Sequence, residues 1–473
     1  MPGLFAGAAF ALAVVAFLAI LAAFVVSGGD ARSASVVVIV AALPILGYVA
    51  LRWPIVFPFG LYVMLVPFDP LSTLGGGTGA TLTRFVGFAA AAALVLRALR
   101  TRRLLVPPKA WGAWGAVVLL MTASTMWSIN PDATLPILQI VLQQYLLYTI
   151  VATYPIDGGQ FAAIRRIVIA AGTVVALYGF YAYATGQRLN GTRLSISNGK
   201  LHFDPNHYAA FFLLPLGFLV AGFLLDRRPL RRALFAALIL AMSANVFLTG
   251  SRGGLLSVVV LMIYLGFRTR RYASLASIGA CFLALSAAIP NVWARFADKT
   301  QGDASGRGDI WSSGFQALRH YWAFGSGFAT YADAYDQNLL NSVQRTFAGW
   351  HRPAHNLLVQ SSVEFGLAGL ALVLFAWWTS LRQNRDIAEH DPLYTERLAC
   401  EAVVVGLFCA AMSIDVLWFK YLWLGMMLPV ILANLAHPRF FWAGGGRANR
   451  LAAPLPAYRR PPPRATVTSR APF

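Results

Sequence analysis

Apolar runs about as long as a bilayer is thick recur along most of this chain, and they leave it few folds. A helix crossing the hydrocarbon needs ~20 mostly apolar residues. With 58% hydrophobic and only 12% charged residues, an ordinary soluble domain is excluded and many membrane spans are expected. Fourteen candidate spans lie between residues 4 and 435, some of them short; the run at 54–67 is short enough to be tilted or re-entrant. The first 27 residues are apolar but carry no basic n-region, so an uncleaved helix is expected there rather than a signal peptide. Cys281, Cys400 and Cys409 all fall in apolar runs and form neither a disulfide framework nor a zinc spacing.

A net charge of +20 would suggest nucleic acid in a soluble protein, but here its distribution argues for topology. With the N-terminus inside, the inside loops and tail hold 25 of the 38 Lys and Arg. Positive charge in short loops marks the cytoplasmic side, which predicts N-in and C-in and no nucleic-acid partner. The chain then reads as an all-α polytopic membrane protein. Residues 1–435 form the transmembrane part and 436–473 an Arg- and Pro-rich cytoplasmic tail. From Arg447 the tail is too polar and proline-rich to bury a core and is expected to be disordered.

Two polar segments interrupt the helical pattern on the outside: 186–205 and the larger loop 291–355. Within the second, DIWSSGFQALRHYW (309–322) places Ile310, Gly314 or Phe315, and Leu318 at helical spacing. This predicts an amphipathic helix against the outer membrane face, ended by the turn GSGF at 325–328. No clear internal repeat is visible, and the polar residues do not line a path through the membrane. Both points weigh against a transporter or flippase of lipid-linked sugars.

Three outside segments carry groups able to do chemistry. In LTGSRGGLLSVVV (248–260) the turn between two apolar runs is so short that Arg252 must sit at the outer interface. A guanidinium there either snorkels at a helix end or binds a phosphate bidentately. In GTRLSISNGKLHFDPNHYAAFF (191–212), Arg193, His202, Asp204, Asn206 and His207 bunch ahead of a span. Asp204-Pro205-Asn206 reads as a helix N-cap, and Arg193 adds a second cation. The third segment, GWHRPAHNLLVQSSVEFG (349–366), runs from the loop into a membrane helix, with His355 at the junction and Glu364 inside the apolar run. His351 and His355 are four apart, but Pro353 between them and the lack of a nearby carboxylate argue against a metal site. An imidazole at that junction suits abstraction of a hydroxyl proton. Arg307 in SGRGDIW (305–311) adds another cation on the same side. Several arginines and a histidine on one membrane face point to a phosphate-bearing lipid substrate.

At these residues the sequence resembles the O-antigen ligase family, a superfamily that also contains O-antigen and exopolysaccharide polymerases. The resemblance rests on DPNHYAAFFLLPL (204–216), LTGSRGGLL (248–256), GRGDIW followed by FGSGFATY (306–331), and HNLLVQSSVEFGLAGL (355–370). It implies a GT-C-type bundle of about 12–14 transmembrane helices in the bacterial inner membrane, with a large periplasmic loop over 291–355. It also implies an inverting glycosyltransferase that takes a glycan from undecaprenyl diphosphate, with no cofactor, no nucleotide sugar and no required metal. The acceptor is a lipid A-core sugar in a ligase, a lipid-linked repeat unit in a polymerase, and a Ser or Thr hydroxyl in a protein-glycosylating member. Ligase is the preferred reading, on the order of the motifs. By the same resemblance His355 is the base, Arg252 and Arg307 hold the lipid diphosphate, Arg193 is a further phosphate or glycan contact, and Asn356 and Glu364 support the site. The ligase pattern often has a second histidine two residues before this one, where the present chain has Pro353.

Overall fold

The computed structural model describes residues 46–72, 81–189, 192–196, 203–287, 302–341 and 349–443. The expected span at 4–27, most of that at 35–50, His202 and the tail from residue 444 lie outside them.

Among the described residues the chain is helical almost throughout. The first part comprises α1 (Phe59–Leu65), α2 (Leu82–Thr101), α3 (Lys109–Ala123), α4 (Pro131–Thr153) and α5 (Gly158–Ala184). Next come α6 (Pro205–Phe211), α7 (Leu213–Leu225), α8 (Pro229–Thr249), α9 (Arg252–Thr269) and α10 (Tyr272–Ala287). Outside the bundle lie α11 (Gly302–Tyr321) and α12 (Tyr331–Asn338), and α13 (Leu357–Arg382), α14 (Tyr394–Ala411) and α15 (Lys420–Ala436) complete it. Seven helices are long and apolar enough to cross a membrane, with α6 and α7 counted as one. The chain is an all-α polytopic membrane protein.

Local chemistry sets the helix ends. Asp157 and Gln160 form a reciprocal capping box at the start of α5, and Thr81 and Asn130 cap α2 and α4 through their side-chain oxygens. Burial then sorts the helices. The α6–α7 span has 89% of its apolar window buried against 28% for α2, so the former is wrapped by other helices while the latter faces lipid. Around α7 pack α14, α8, α9 and α5, and α15 is buried along nearly its full length.

Two short antiparallel pairs decorate the bundle. Arg103–Leu105 (β1) pairs with Phe440–Ala443 (β4), tying the end of α2 to the chain after α15. Residues 440–443 of the expected tail are therefore a strand. Arg188–Leu189 (β2) pairs with Arg193–Leu194 (β3). At the end of the bundle where α9 finishes and α14 begins, Glu401 accepts from Arg397 Nε at 2.8 Å and Tyr264 Oη at 2.7 Å, with Arg268 at 3.1 Å. Two buried charges held in such a network satisfy each other in place of water.

The amphipathic helix expected within 309–322 is the C-terminal part of α11. Its buried side holds Ile310, Ser313, Gly314 and Ala317 and packs on α12 and α13, while Phe315 is 58% exposed. The expectation of a helix laid against the membrane face is corrected here: that face docks on protein, because α12 and the start of α13 supply Tyr331, Tyr335 and Val363 to a small separate core.

Helix α13 is broken. Gly366 has φ 69° and ψ −178°, and the backbone of 322–327 enters the break. Ser326 N donates to Val363 O at 2.8 Å, Gly327 N to Glu364 O at 3.0 Å, and Leu367 N to Trp322 O at 2.8 Å. The close approach demands glycine on both sides, since a Cβ on Gly366 would lie 2.2 Å from Ala323 O and one on Gly325 2.2 Å from the Glu364 carbonyl. The expected GSGF turn thus does more than end α11: it straps the outer segment into a membrane helix.

Candidate functional site

Four helix ends and two loops meet on the side of the bundle that carries α11 and α12. Arg252 occupies the first position of α9, because Gly250 ends α8 in the left-handed conformation and Ser251 caps the next helix by accepting from Gly254 N. Gly253 lies against Ser413, with room for no side chain: a Cβ there would sit 2.0 Å from Ser413 Oγ. That contact brings the start of α9 against the turn that follows α14.

Arg307, on α11, donates from Nη2 to Ser413 O at 2.9 Å. Burial pushes its guanidinium down from the ordinary value, Asp415 and Asp204 draw it back up, and Arg252 lowers it further. Arg307 therefore feels Arg252 and both carboxylates directly. An arginine stays protonated through such a shift.

His355 sits just ahead of α13 with a positive φ of 47°. Its backbone N–H donates to Asp415 Oδ1 at 3.1 Å, and its Nδ1 lies 3.2 Å from Asp415 Oδ2. The second approach is close enough for an ion pair but off-line for a hydrogen bond, as often found before a substrate closes such a site. Asn356 caps α13 by accepting from Leu358 N and Val359 N, and its Nδ2 donates to Met412 O at 3.4 Å. The start of α13 is thereby fixed to the end of α14 just where Asp415 follows.

Asp415 is the residue that sequence reasoning missed. It stands in a short turn between two apolar runs, as Arg252 does, and an acid in so short a turn was the available signal. His207 also comes closer than its expected place in a bunch of polar residues. It stacks on Phe419 with ring centroids 3.7 Å apart, Nδ1 lies 2.9 Å from Tyr421 Oη, and Asp204, Asp415 and His355 are within electrostatic reach.

The remaining candidates take different positions. Arg193 lies in β3, donating from Nε to Thr249 O at 2.9 Å and from Nη2 to Asn206 Oδ1 at 3.1 Å. It clamps the hairpin to the end of α8 beside the site. Asp204 caps α6 by accepting from Asn206 N at 2.6 Å, the cap expected from the Asp-Pro-Asn sequence. Glu364 is set back: its Oε1 accepts from Gln360 Nε2 at 3.2 Å and Tyr331 N at 3.4 Å, and its Oε2 has no hydrogen-bond partner among the described residues. His351 and His355 diverge, His351 Nδ1 lying 3.4 Å from Asp336 Oδ2.

Chemically the arrangement joins two guanidiniums to an imidazole–carboxylate pair. The N-terminal ends of α6, α9 and α13 converge there, and their dipoles add positive potential. Such a place favours a polyanionic group on one side and removal of a proton from a neutral group on the other.

Among curated proteins none matches the chain. Residues 235–374 match the family model described as O-antigen ligase. That segment contains Arg252, Arg307, His355, Asn356 and Glu364, and over it the chain is similar to the O-antigen ligase family.

Proposed function

We propose that this protein transfers a glycan from undecaprenyl diphosphate to an acceptor hydroxyl, such as that of a lipid A-core sugar. The observation that carries the reading is the meeting of His355 and Asp415 with Arg307 at one turn: Asp415 faces the imidazole while Arg307 donates to Ser413 O two residues earlier. In the reaction His355 accepts the acceptor's hydroxyl proton as that oxygen bonds to the anomeric carbon. The bond from that carbon to the diphosphate oxygen breaks on the opposite face, so configuration inverts. Arg252 and Arg307 hold the diphosphate and balance the charge that grows on it as it leaves. Preorganised donors in a site partly closed to water are worth most at this step. The same two guanidiniums supply the positive charge that a metal would otherwise bring. Asp415 orients His355 and stabilises the imidazolium that forms, while Arg193, Asn356 and Glu364 hold the surrounding backbone.

This reading places the chain in the bacterial inner membrane, N-in and C-in, with the site facing the periplasm. The membrane-spanning glycosyltransferase part is 1–435 and its periplasmic loop 291–355. Reconstitution with undecaprenyl diphosphate-linked glycan and two competing acceptors, lipid A-core and the lipid-linked repeat itself, tests the proposal. A single-transfer product on lipid A-core supports a ligase; a ladder of growing chains would make it a polymerase of repeat units. His355→Ala and Arg252→Ala should each abolish transfer while the protein remains monodisperse, and full activity in either would overturn the assignment.

A further inference from the structure

An apolar groove of about 540 Å³ opens between α13 and α14, along the apolar length of α13. Ala371, Leu374, Phe375 and Trp378 line it on α13, and Val405 and Phe408 on α14. Among the described residues, apolar and tryptophan side chains alone form these walls. At the far end, the Arg382 guanidinium lies 3.7 Å over the Trp378 ring.

Each of the two helices that form the groove reaches the site at one end. Asn356, which caps α13, donates to Met412 O at the end of α14. Along α14 the partly exposed residues Val405, Phe408, Cys409 and Met412 recur at helical spacing, forming one apolar stripe from the groove up to that contact. On α13, Leu367, Ala368 and Ala371 continue the exposed face in the same direction. A lipid whose head is held at the site must send its tail into hydrocarbon, and this stripe offers a continuous apolar route. A second cleft, walled by Tyr62, Arg84, Gln144 and Lys420 among others, has room for only about 20 Å³ and presents polar groups that an isoprenoid would have to desolvate.

We infer that the groove between α13 and α14 receives the polyprenyl tail of the glycan donor; this rests on the lipid-diphosphate reading given above. The flat, methyl-branched isoprene units suit the aromatic walls of Phe375, Trp378 and Phe408, where dispersion contacts accumulate. Binding the tail there anchors the diphosphate against Arg252 and Arg307 without adding any contact to the reacting sugar. Tail length is thereby part of donor selection.

The test compares two donors carrying the same glycan, one on undecaprenyl and one on geranyl diphosphate, in the wild type and in Ala371→Trp and Val405→Phe. Both substitutions fill the groove, Ala371 from an exposed and Val405 from a partly exposed position. Loss of the buried apolar area should raise KM for the undecaprenyl donor roughly tenfold, leaving its kcat and both constants for the geranyl donor unchanged. Unaltered KM for the undecaprenyl donor in both variants would overturn the inference and leave the groove to ordinary acyl chains, with the donor reading intact. Failure of the wild type to use either donor would overturn both. As a measurement free of substitutions, a donor with a photoreactive group near the tail end should label peptides from 367–382 or 400–412 of the wild-type protein; labelling confined to other helices would refute the assignment.

Discussion

The carboxylate of Asp415 meets His355 twice, accepting its backbone N–H at 3.1 Å and facing its Nδ1 at 3.2 Å. One acid thus fixes both where the histidine's backbone sits and which way its ring can turn. Asp415→Asn keeps the shape but removes the charge that would stabilise an imidazolium. Transfer should fall roughly 10²- to 10⁴-fold, the usual scale for impaired general-base catalysis. Single-turnover assays on protein of unchanged melting temperature would measure it, and a rate within a few-fold of wild type would remove Asp415 from the mechanism.

Arg307 spends one donor on Ser413 O, and a guanidinium has further N–H groups to offer a diphosphate. Lysine keeps the charge but cannot make both connections in one plane. Arg307→Lys should therefore weaken donor use by about 1.5–3 kcal/mol, the range for hydrogen bonds to charged groups. Steady-state kinetics against donor concentration would show this as a loss in kcat/KM.

Gly366 is the position where the strap of 322–327 enters α13. Gly366→Ala should destabilise the fold by at least about 1–3 kcal/mol, from strain at positive φ compounded by the clash with Ala323 O. Limited proteolysis should then cut within the outer segment at protease levels that leave the wild type intact.

Glu364 supports the fold in this reading and takes no part in the chemistry. Glu364→Gln retains an oxygen for Tyr331 N and should keep near wild-type transfer. Glu364→Ala strands the buried partners Gln360 and Tyr331 and should cost about 1–3 kcal/mol of stability. A well-folded Glu364→Gln protein devoid of transfer would assign the acid a direct chemical role.

At the other end of the bundle, Glu401 is 5% exposed and Arg397 8%. Glu401→Ala leaves Arg397 and Arg268 without their carboxylate, and breaking a buried pair in this way costs about 3–5 kcal/mol. The thermal midpoint should drop, while KM for the donor in the surviving folded protein should not change.

Much of this organisation was legible in the chain. Hydropathy alone predicted a polytopic helical protein, and the shortness of the turn around Gly250 was enough to put Arg252 at a helix end. Asp204-Pro205-Asn206 read correctly as a cap because N-cap chemistry is local. The pairing of Asp415 with His355 was not legible, since nothing in spacing connects the two across the whole of α13 and α14. The break in α13 was equally hidden. The apolar run passes through Gly366 without interruption, and only the arrival of a distant strap turns that glycine into a non-helical residue. Phe315 shows the limit of periodicity, since helical spacing groups residues on a face but does not say whether lipid, water or protein will cover it.

The strap has a consequence for how such proteins can diversify. Because Trp322, Ser326 and Gly327 bond to the two sides of a severed helix, the outer segment and the membrane helix that carries His355 are one mechanical piece, joined through the backbone and indifferent to most side chains. New side chains can be written on the free surfaces of α11 and α12 without disturbing the joint. A transplant of the outer segment alone would instead leave the helix with an unfilled gap, so exchangeable units must be cut to include residues 322–327 together with 363–367.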